Sequence, residues 1–247
     1  LSGEPLYTGV SGRKVCHIKG NEIICDKKDE DYWKSYFVTD VDYADINKRL
    51  ICSDDSLKKC IEYGRGIRIL KQDLWETTVS FIISANNNIP RIKKIIESMC
   101  EMFGEKIEDK YSQKTYYAFP TAERLARLEP KDLAPLKAGY RDVYILDAAQ
   151  KIADKTVDLC AVKDMPDADA KKYLMQIKGV GGKVADCILL FSLGRYSVFP
   201  TDVWIKRILQ DVYDINDKQI PEFVSSRFGS LAGYAQQYLY YYYRSNS

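Results

Sequence analysis

The chain has 247 residues, 46% of them hydrophobic and 29% charged, with Lys and Arg against Asp and Glu leaving a net charge of +2. That composition can bury at least one sizeable core and excludes a disordered chain, and no window approaches about eighteen consecutive apolar residues, so a membrane-spanning helix is not expected. Seven scattered cysteines without a C-x-x-C pair read as reduced, mostly buried thiols, and a single histidine, His17, read as an ordinary strand residue, argues against His-rich metal sites and a His-dependent nucleophile.

Residues 6–26 carry three short β-prone runs, LYTGV, RKVCHI and EIICD, separated by Ser11-Gly12 and Gly20-Asn21. This turn chemistry predicts a small antiparallel sheet. From about residue 54 the apolar residues recur at helical spacing. SDDSLKKCIEYG has Asp and Ser at its start and Gly64 at its end, QDLWETTVSFIIS can be capped by Asp73, and PRIKKIIESMCEMFG has Pro90 in its first turn and Gly104 as a stop. Further helices are predicted near 121–128, 140–154, 167–177, 183–193, 202–213 and 230–242. The order predicts an α+β protein: a small, incomplete antiparallel sheet domain over 1–52, then a mostly helical, two-lobed body over 53–247 with a helix-hairpin-helix at about 167–193.

The hairpin lies in MQIKGVGGKVADCILLF, residues 175–191. Glycines at a turn allow backbone conformations that a side chain obstructs, and the freed amides of Gly179, Val180, Gly181 and Gly182, next to a helix start, can bind phosphate without reading a base. A tight helix-helix turn with no ligand is the other reading. Between residues 171 and 207 the formal charge is +5, so basic side chains gather around this turn. Lys183 stands where the next helix begins. A helix start and partial burial both disfavour a positive charge there and favour the neutral, nucleophilic amine, which can form a Schiff base with a sugar carbon. An ordinary phosphate-binding lysine is the alternative. In SVFPTDVWIKRILQDV, Asp202 precedes an amphipathic helix and reads as its cap; folded against Lys183 it could also accept a proton and stabilise charge developing on a sugar.

IKGVGGKVADCILLF followed by VFPTDVWIKRIL resembles the helix-hairpin-helix and Gly/Pro…Asp loop of the base-excision DNA glycosylases, and specifically of the 8-oxoguanine DNA glycosylases, over roughly residues 64–244. The resemblance implies that Lys183 is the nucleophile that displaces the base and forms the imine, with Asp202 its acidic partner. It implicates Asn86 and Arg91, in SFIISANNNIPRIKKII, in contacts to the base left unpaired when a nucleotide flips out. In LKAGYRDVYILDAA it makes Tyr140 the wedge in the base stack and sends Arg141 to the orphan base. In GYAQQYLYYYYR it makes Gln236 and Tyr240, one helical turn apart, the reader and the stacking face of the flipped base, with Cys187 opposite. Without the family, the Asn run reads as a polar loop, Tyr140 as a helix-start core residue and the Gln236 face as core.

The sequence departs from the family in two places. Trp204 stands where many members have His two residues after the Asp, and the N-terminal Gly-Gln segment that distinguishes oxidised guanine is not among these residues. No cysteine follows Cys187, which disfavours the iron–sulfur branch of the superfamily. The expectation is a bifunctional glycosylase and AP lyase acting as a monomer on duplex DNA with damaged guanine opposite cytosine, using no metal or organic cofactor. It would work in a bacterial cytoplasm or, in a eukaryote, the nucleus. A glycosylase for another base and a non-enzymatic DNA-binding module are the alternatives.

Overall fold

The computed structural model describes residues 6–246; the expected sheet domain's first five residues and Ser247 lie outside them. The three β-prone runs form an antiparallel sheet, β1 (Leu6–Ser11), β2 (Lys14–Lys19) and β3 (Glu22–Cys25), with turns at Ser11-Gly12 and Gly20-Asn21. The chain then turns helical earlier than its sequence suggested. α1 (Glu30–Tyr36) and α2 (Tyr43–Ser53) occupy the stretch read as sheet domain, and the boundary expected near residue 52 falls inside α2. Asp42 caps α2 by accepting the N–H groups of Ala44 and Asp45, and Ile46 and Leu50, one turn apart, are buried.

Next come α3 (Leu57–Tyr63), α4 (Leu74–Ser84) and α5 (Ile89–Phe103). Asp73 caps α4 and Asn88 caps α5, each accepting an N–H three residues on, and α5 ends at Gly104. A hairpin of β4 (Lys106–Asp109) and β5 (Lys114–Tyr117) follows, which no alternation or Asn-Gly signal announced. His17 pins it to the first sheet. The imidazole is 1% exposed, with Nε2 3.0 Å from Asp109 Oδ2 and Nδ1 2.9 Å from Thr8 Oγ1, so this histidine joins two sheets. Then come α6 (Ala122–Leu125), α7 (Pro130–Leu133), α8 (Arg141–Ala153), α9 (Asp167–Leu174), α10 (Gly182–Leu193), α11 (Val203–Tyr213), α12 (Ile220–Arg227) and α13 (Ala232–Ser245).

Two apolar clusters make two lobes. One gathers Val79, Ile82, Ile95, Leu125, Ile145 and Ile188 from α4, α5, α6, α8 and α10; the other gathers Leu50, Leu57, Ile208, Tyr234 and Tyr238 from α2, α3, α11 and α13. α10 belongs to both, since Leu189 faces the first cluster and Leu190 the second. Such a helix is apolar nearly all round, and Val184 through Leu190 are all buried. Its half-buried start, Gly182 and Lys183, therefore lies where both lobes meet. Of the seven thiols only Cys16, Cys60 and Cys187 are buried, fewer than the composition suggested; the exposed Cys52 and Cys160 lie on a helix end and a loop, where no core covers them.

One carboxylate ties the sheet to the helical body. Glu76 of α4 accepts the Gly12 N–H at 2.6 Å and the Ser11 hydroxyl at 3.1 Å. Burial pushes its carboxyl up to about 7, and neighbouring Asp73 adds to the rise, against the opposing Gly12 and Ser11 bonds. The folded chain therefore holds a proton that the unfolded chain, near 4.5, releases, so stability falls as pH rises from about 4.5 to about 7. The cost above that window is on the order of 3 kcal/mol. Glu76→Gln keeps an acceptor for Gly12 and removes the charge. Thermal unfolding should show this variant more stable than the parent at pH 8 and little different at pH 4.5; equal shifts at both pH values would contradict the assignment.

Candidate active site

The hairpin between α9 and α10 is built around two residues. Gly179 has φ +85, and a Cβ there would lie 2.6 Å from Cδ2 of Tyr144, so the turn needs glycine for both its conformation and its packing. Val180 is 4% exposed and its N–H donates to the Ile177 carbonyl at 3.1 Å. This corrects its expected role: Val180 anchors the turn in the core, and its amide is already used. Gly181 is the N-cap of α10 and no side chain caps that helix, which leaves the N–H groups of its first turn free for an anion. Gly179→Ala is expected to cost about 2–4 kcal/mol of stability, the sum of a strained left-handed alanine and the clash. Denaturant unfolding measures it, and Tyr144→Ala in the same chain should restore part of the loss.

Lys183 is in the first turn of α10, half-buried, with Nζ 5.4 Å from the centroid of the Phe81 ring on α4. Phe81 in turn stacks on Phe191 at 5.5 Å, so an aromatic pair forms the floor beneath the amine. Neither phenylalanine stood out in the sequence. Cys187, one turn after Lys183, is 3% exposed. Burial pushes its thiol up to about 11, and the charge and hydrogen bond of Lys183 work against that rise, while Asp186 and Asp202 add to it. The amine and the Asp202 carboxylate thus act on one buried thiol. Asp202 caps α11: its Oδ1 accepts the Ile205 N–H at 2.9 Å, and its other oxygen makes no hydrogen bond among the described residues. The cap read from sequence and the free carboxylate oxygen that acid–base chemistry needs are the two ends of one side chain.

A cleft of about 620 Å³ opens beside the amine, lined by Gly182, Lys183, Asp186, Phe199, Thr201 and Lys206 among others. Gln236, Tyr240 and Cys187 do not line it. Gln236 is 4% exposed and its Oε1 accepts from Gln237 at 2.5 Å, while the Tyr240 hydroxyl accepts from Arg244 at 2.6 Å. Gly233 lets α13 press on α10, since a Cβ there would lie 2.5 Å from Leu190 Cδ1. Gln236 follows Gly233 by one turn and Cys187 precedes Leu190 by one turn, so both belong near this crossing, shut from solvent in the free protein.

The basic cluster is smaller than its formal sum. Lys171 pairs with Asp186 at 2.7 Å, Lys206 with Asp217 at 2.5 Å and Arg195 with Asp167 at 3.3 Å. Lys178 lies 3.8 Å from Asp147. Lys172, Lys183 and Arg207 make no ion pair among the described residues.

The Asn run divides its work. Asn88 caps α5, Asn87 donates to the Ile83 carbonyl at 3.0 Å, and Asn86 stands exposed at φ +49 with no side-chain hydrogen bond among the described residues. Arg91 is exposed and donates to the Lys137 carbonyl at 2.8 Å. Tyr140, 52% exposed at the start of α8, is not a core residue: its hydroxyl donates to the Ala85 carbonyl at 3.5 Å and the Arg141 guanidinium lies 4.5 Å from its ring. Arg141 differs from the expectation: it is 3% exposed, with its guanidinium donating to the carbonyls of Ala85, Asn86 and Ala138. In the free protein it clamps the Asn loop to the start of α8, with four hydrogen bonds to carbonyls offsetting the burial of its charge. Trp204 is 40% exposed, with the Arg207 guanidinium 5.4 Å from its ring.

A lysine and a helix-capping aspartate set behind a hairpin with free amides, at the junction of two helical lobes, define the class of helix-hairpin-helix base-excision folds. The chain belongs to the HhH-GPD superfamily of base excision DNA repair proteins, whose family model matches residues 79–232; residues 7–78 match the N-terminal domain of 8-oxoguanine DNA glycosylases. It is 39% identical over 163 residues to the N-glycosylase/DNA lyase of Saccharomyces cerevisiae, an alignment that covers 62% of this chain and 43% of that one. It is 31% identical over 210 residues to a Methanothermobacter thermautotrophicus protein named "Probable N-glycosylase/DNA lyase", covering 76% of this chain and 66% of the relative. The chain thus spans under half of the first relative's length and about two thirds of the second's. Its fold is also similar to that of the Clostridium acetobutylicum 8-oxoguanine glycosylase/lyase in complex with duplex DNA containing cytosine opposite 8-oxoguanine, with TM-score 0.89 and 41% identity over 98% of this chain and 85% of that one.

Proposed function

We propose that the chain is a bifunctional DNA glycosylase and AP lyase that excises 8-oxoguanine from duplex DNA, where it lies opposite cytosine. The observation that carries this reading is Lys183: an amine at the uncapped start of α10, over an aromatic floor and beside an open cleft, with the capping Asp202 opening the next helix. The hairpin amides grip a phosphate, Tyr140 fills the gap left by the flipped nucleotide, and Asn86 and Arg91 face the unpaired base. Arg141 reaches that base only by giving up some of its carbonyl bonds. Gln236, Cys187 and Tyr240 receive the flipped base once the closed crossing of α10 and α13 opens.

The chemistry follows from the amine. The Lys183 amine, having given up a proton, attacks C1′; the bond from C1′ to the base nitrogen breaks, the base departs with its electron pair and takes up a proton, and the amine, now bonded to carbon, loses one. Asp202 stabilises the positive charge on the sugar as that bond breaks. Ring opening gives an imine, loss of a C2′ proton expels the 3′ phosphate, and hydrolysis frees the lysine. The protein's own residues suffice for each step, and it acts as a monomer where duplex DNA is held, in nucleoid or nucleus. No helix among the described residues is long and apolar enough to cross a membrane.

The experiment is borohydride trapping across duplexes that carry different lesions and different opposing bases. A covalent adduct formed fastest with 8-oxoguanine opposite cytosine is expected. Trapping with alkylated purines alone would move the substrate class, and binding without turnover on any duplex would leave a DNA-binding module.

A further inference from the structure

A carboxylate beside a phosphate-gripping turn weakens the hold on DNA by repulsion unless it does something else there. Asp147 of α8 is such a carboxylate. Its side chain is 12% exposed, and its Oδ2 accepts the backbone N–H of Lys178, the residue that opens the hairpin, at 2.8 Å. Lys151, one turn on, lies 3.0 Å from the same carboxylate and donates to the Gln176 carbonyl at 2.6 Å. Tyr144, one turn back, lies under Gly179. Positions 144, 147 and 151 recur at helical spacing, so one face of α8 supports the turn at three successive points. The face continues to Tyr140, whose ring meets that of Tyr144 edge-on at 5.5 Å.

We propose that Asp147 is a positioning residue for DNA binding: through the Lys178 N–H it holds the hairpin so that the free amides at the start of α10 face the DNA backbone at a set distance from the Tyr140 wedge. The inference rests on the DNA glycosylase reading above. Lys151 and the Lys178 ammonium, 3.8 Å away, offset the carboxylate's repulsion of phosphate. What remains of its effect is the hydrogen bond. An Asn there keeps an acceptor and loses the charge; an Ala loses both.

The test compares Asp147→Asn with Asp147→Ala by titration against an undamaged duplex and against the same duplex carrying 8-oxoguanine. Asp147→Asn should bind at least as tightly as the parent, and Asp147→Ala about tenfold more weakly than Asp147→Asn on both duplexes. Single-turnover excision at saturating enzyme should be unchanged in both, so that KM moves and kcat does not. Hydrogen exchange at the Lys178 amide should speed up in the alanine variant alone. Equal affinity of the two variants, or a loss in kcat with affinity intact, overturns the assignment. Should the alanine variant not fold, Asp147→Leu, closer in volume and still no acceptor, carries the same comparison. A parent chain that binds neither duplex would instead remove the DNA reading itself.

Discussion

Lys183→Gln should leave no borohydride-trappable adduct and should lower excision on the order of 10⁶-fold, the scale seen when a covalent nucleophile is removed. Glutamine nearly matches the stem length and cannot form an imine. The loss should be one of chemistry and not of folding, because Lys183 makes no ion pair among the described residues and its charge opposes the positive end of α10. Removing that charge should raise stability slightly, by ~0.3–1 kcal/mol. Duplex affinity should change little, since the hairpin amides remain. The Cys187 thiol, relieved of the Lys183 charge and hydrogen bond that oppose its burial, should titrate still higher and stay unreactive. An adduct undiminished in Lys183→Gln would falsify the nucleophile assignment.

Asp202 is expected to show two separable losses. Asp202→Asn retains an oxygen for the Ile205 N–H and removes the charge, so α11 stays capped while excision falls about 10²–10⁴-fold, the usual range for a proton-transfer or charge-stabilising group. Asp202→Ala should match that kinetic loss and also cost about 1 kcal/mol in unfolding free energy, the worth of a lost N-cap. The measurement is single-turnover excision beside denaturant unfolding for both variants. If the asparagine variant excised at the parent rate, Asp202 would be a cap and nothing more.

Much of this centre was legible because its signals are local. Asp73 capping α4, Pro90 in the first turn of α5 and the glycines around Lys183 each act within one turn of the residue that needs them. The resemblance carried by 177–209 rested on the same kind of contiguous motif. α1 and α2 were missed although Asp42, Ile46 and Leu50 spell a capped amphipathic helix, because the preceding strand pattern was extended over them. The β4–β5 hairpin had no comparable signal. Four-residue strands carry too little alternation, and the pairing of Asp109 with His17, ninety-two positions apart, stabilises what its own sequence does not announce.

The sequence by itself determined where helices start and stop, where the turn must bend, and that an amine and a carboxylate stand at the starts of successive helices. Caps, glycine conformation and apolar period act over a few residues, so they survive in a linear reading. Tertiary structure alone decided which charges remain free and which backbone groups are spent. It paired Lys171 with Asp186, caged Arg141 in carbonyls, used up the Val180 amide and laid α8 beneath the hairpin. These outcomes depend on groups far apart in the chain arriving at one place, where burial makes every unmet bond costly, and packing of the two lobes chooses that place.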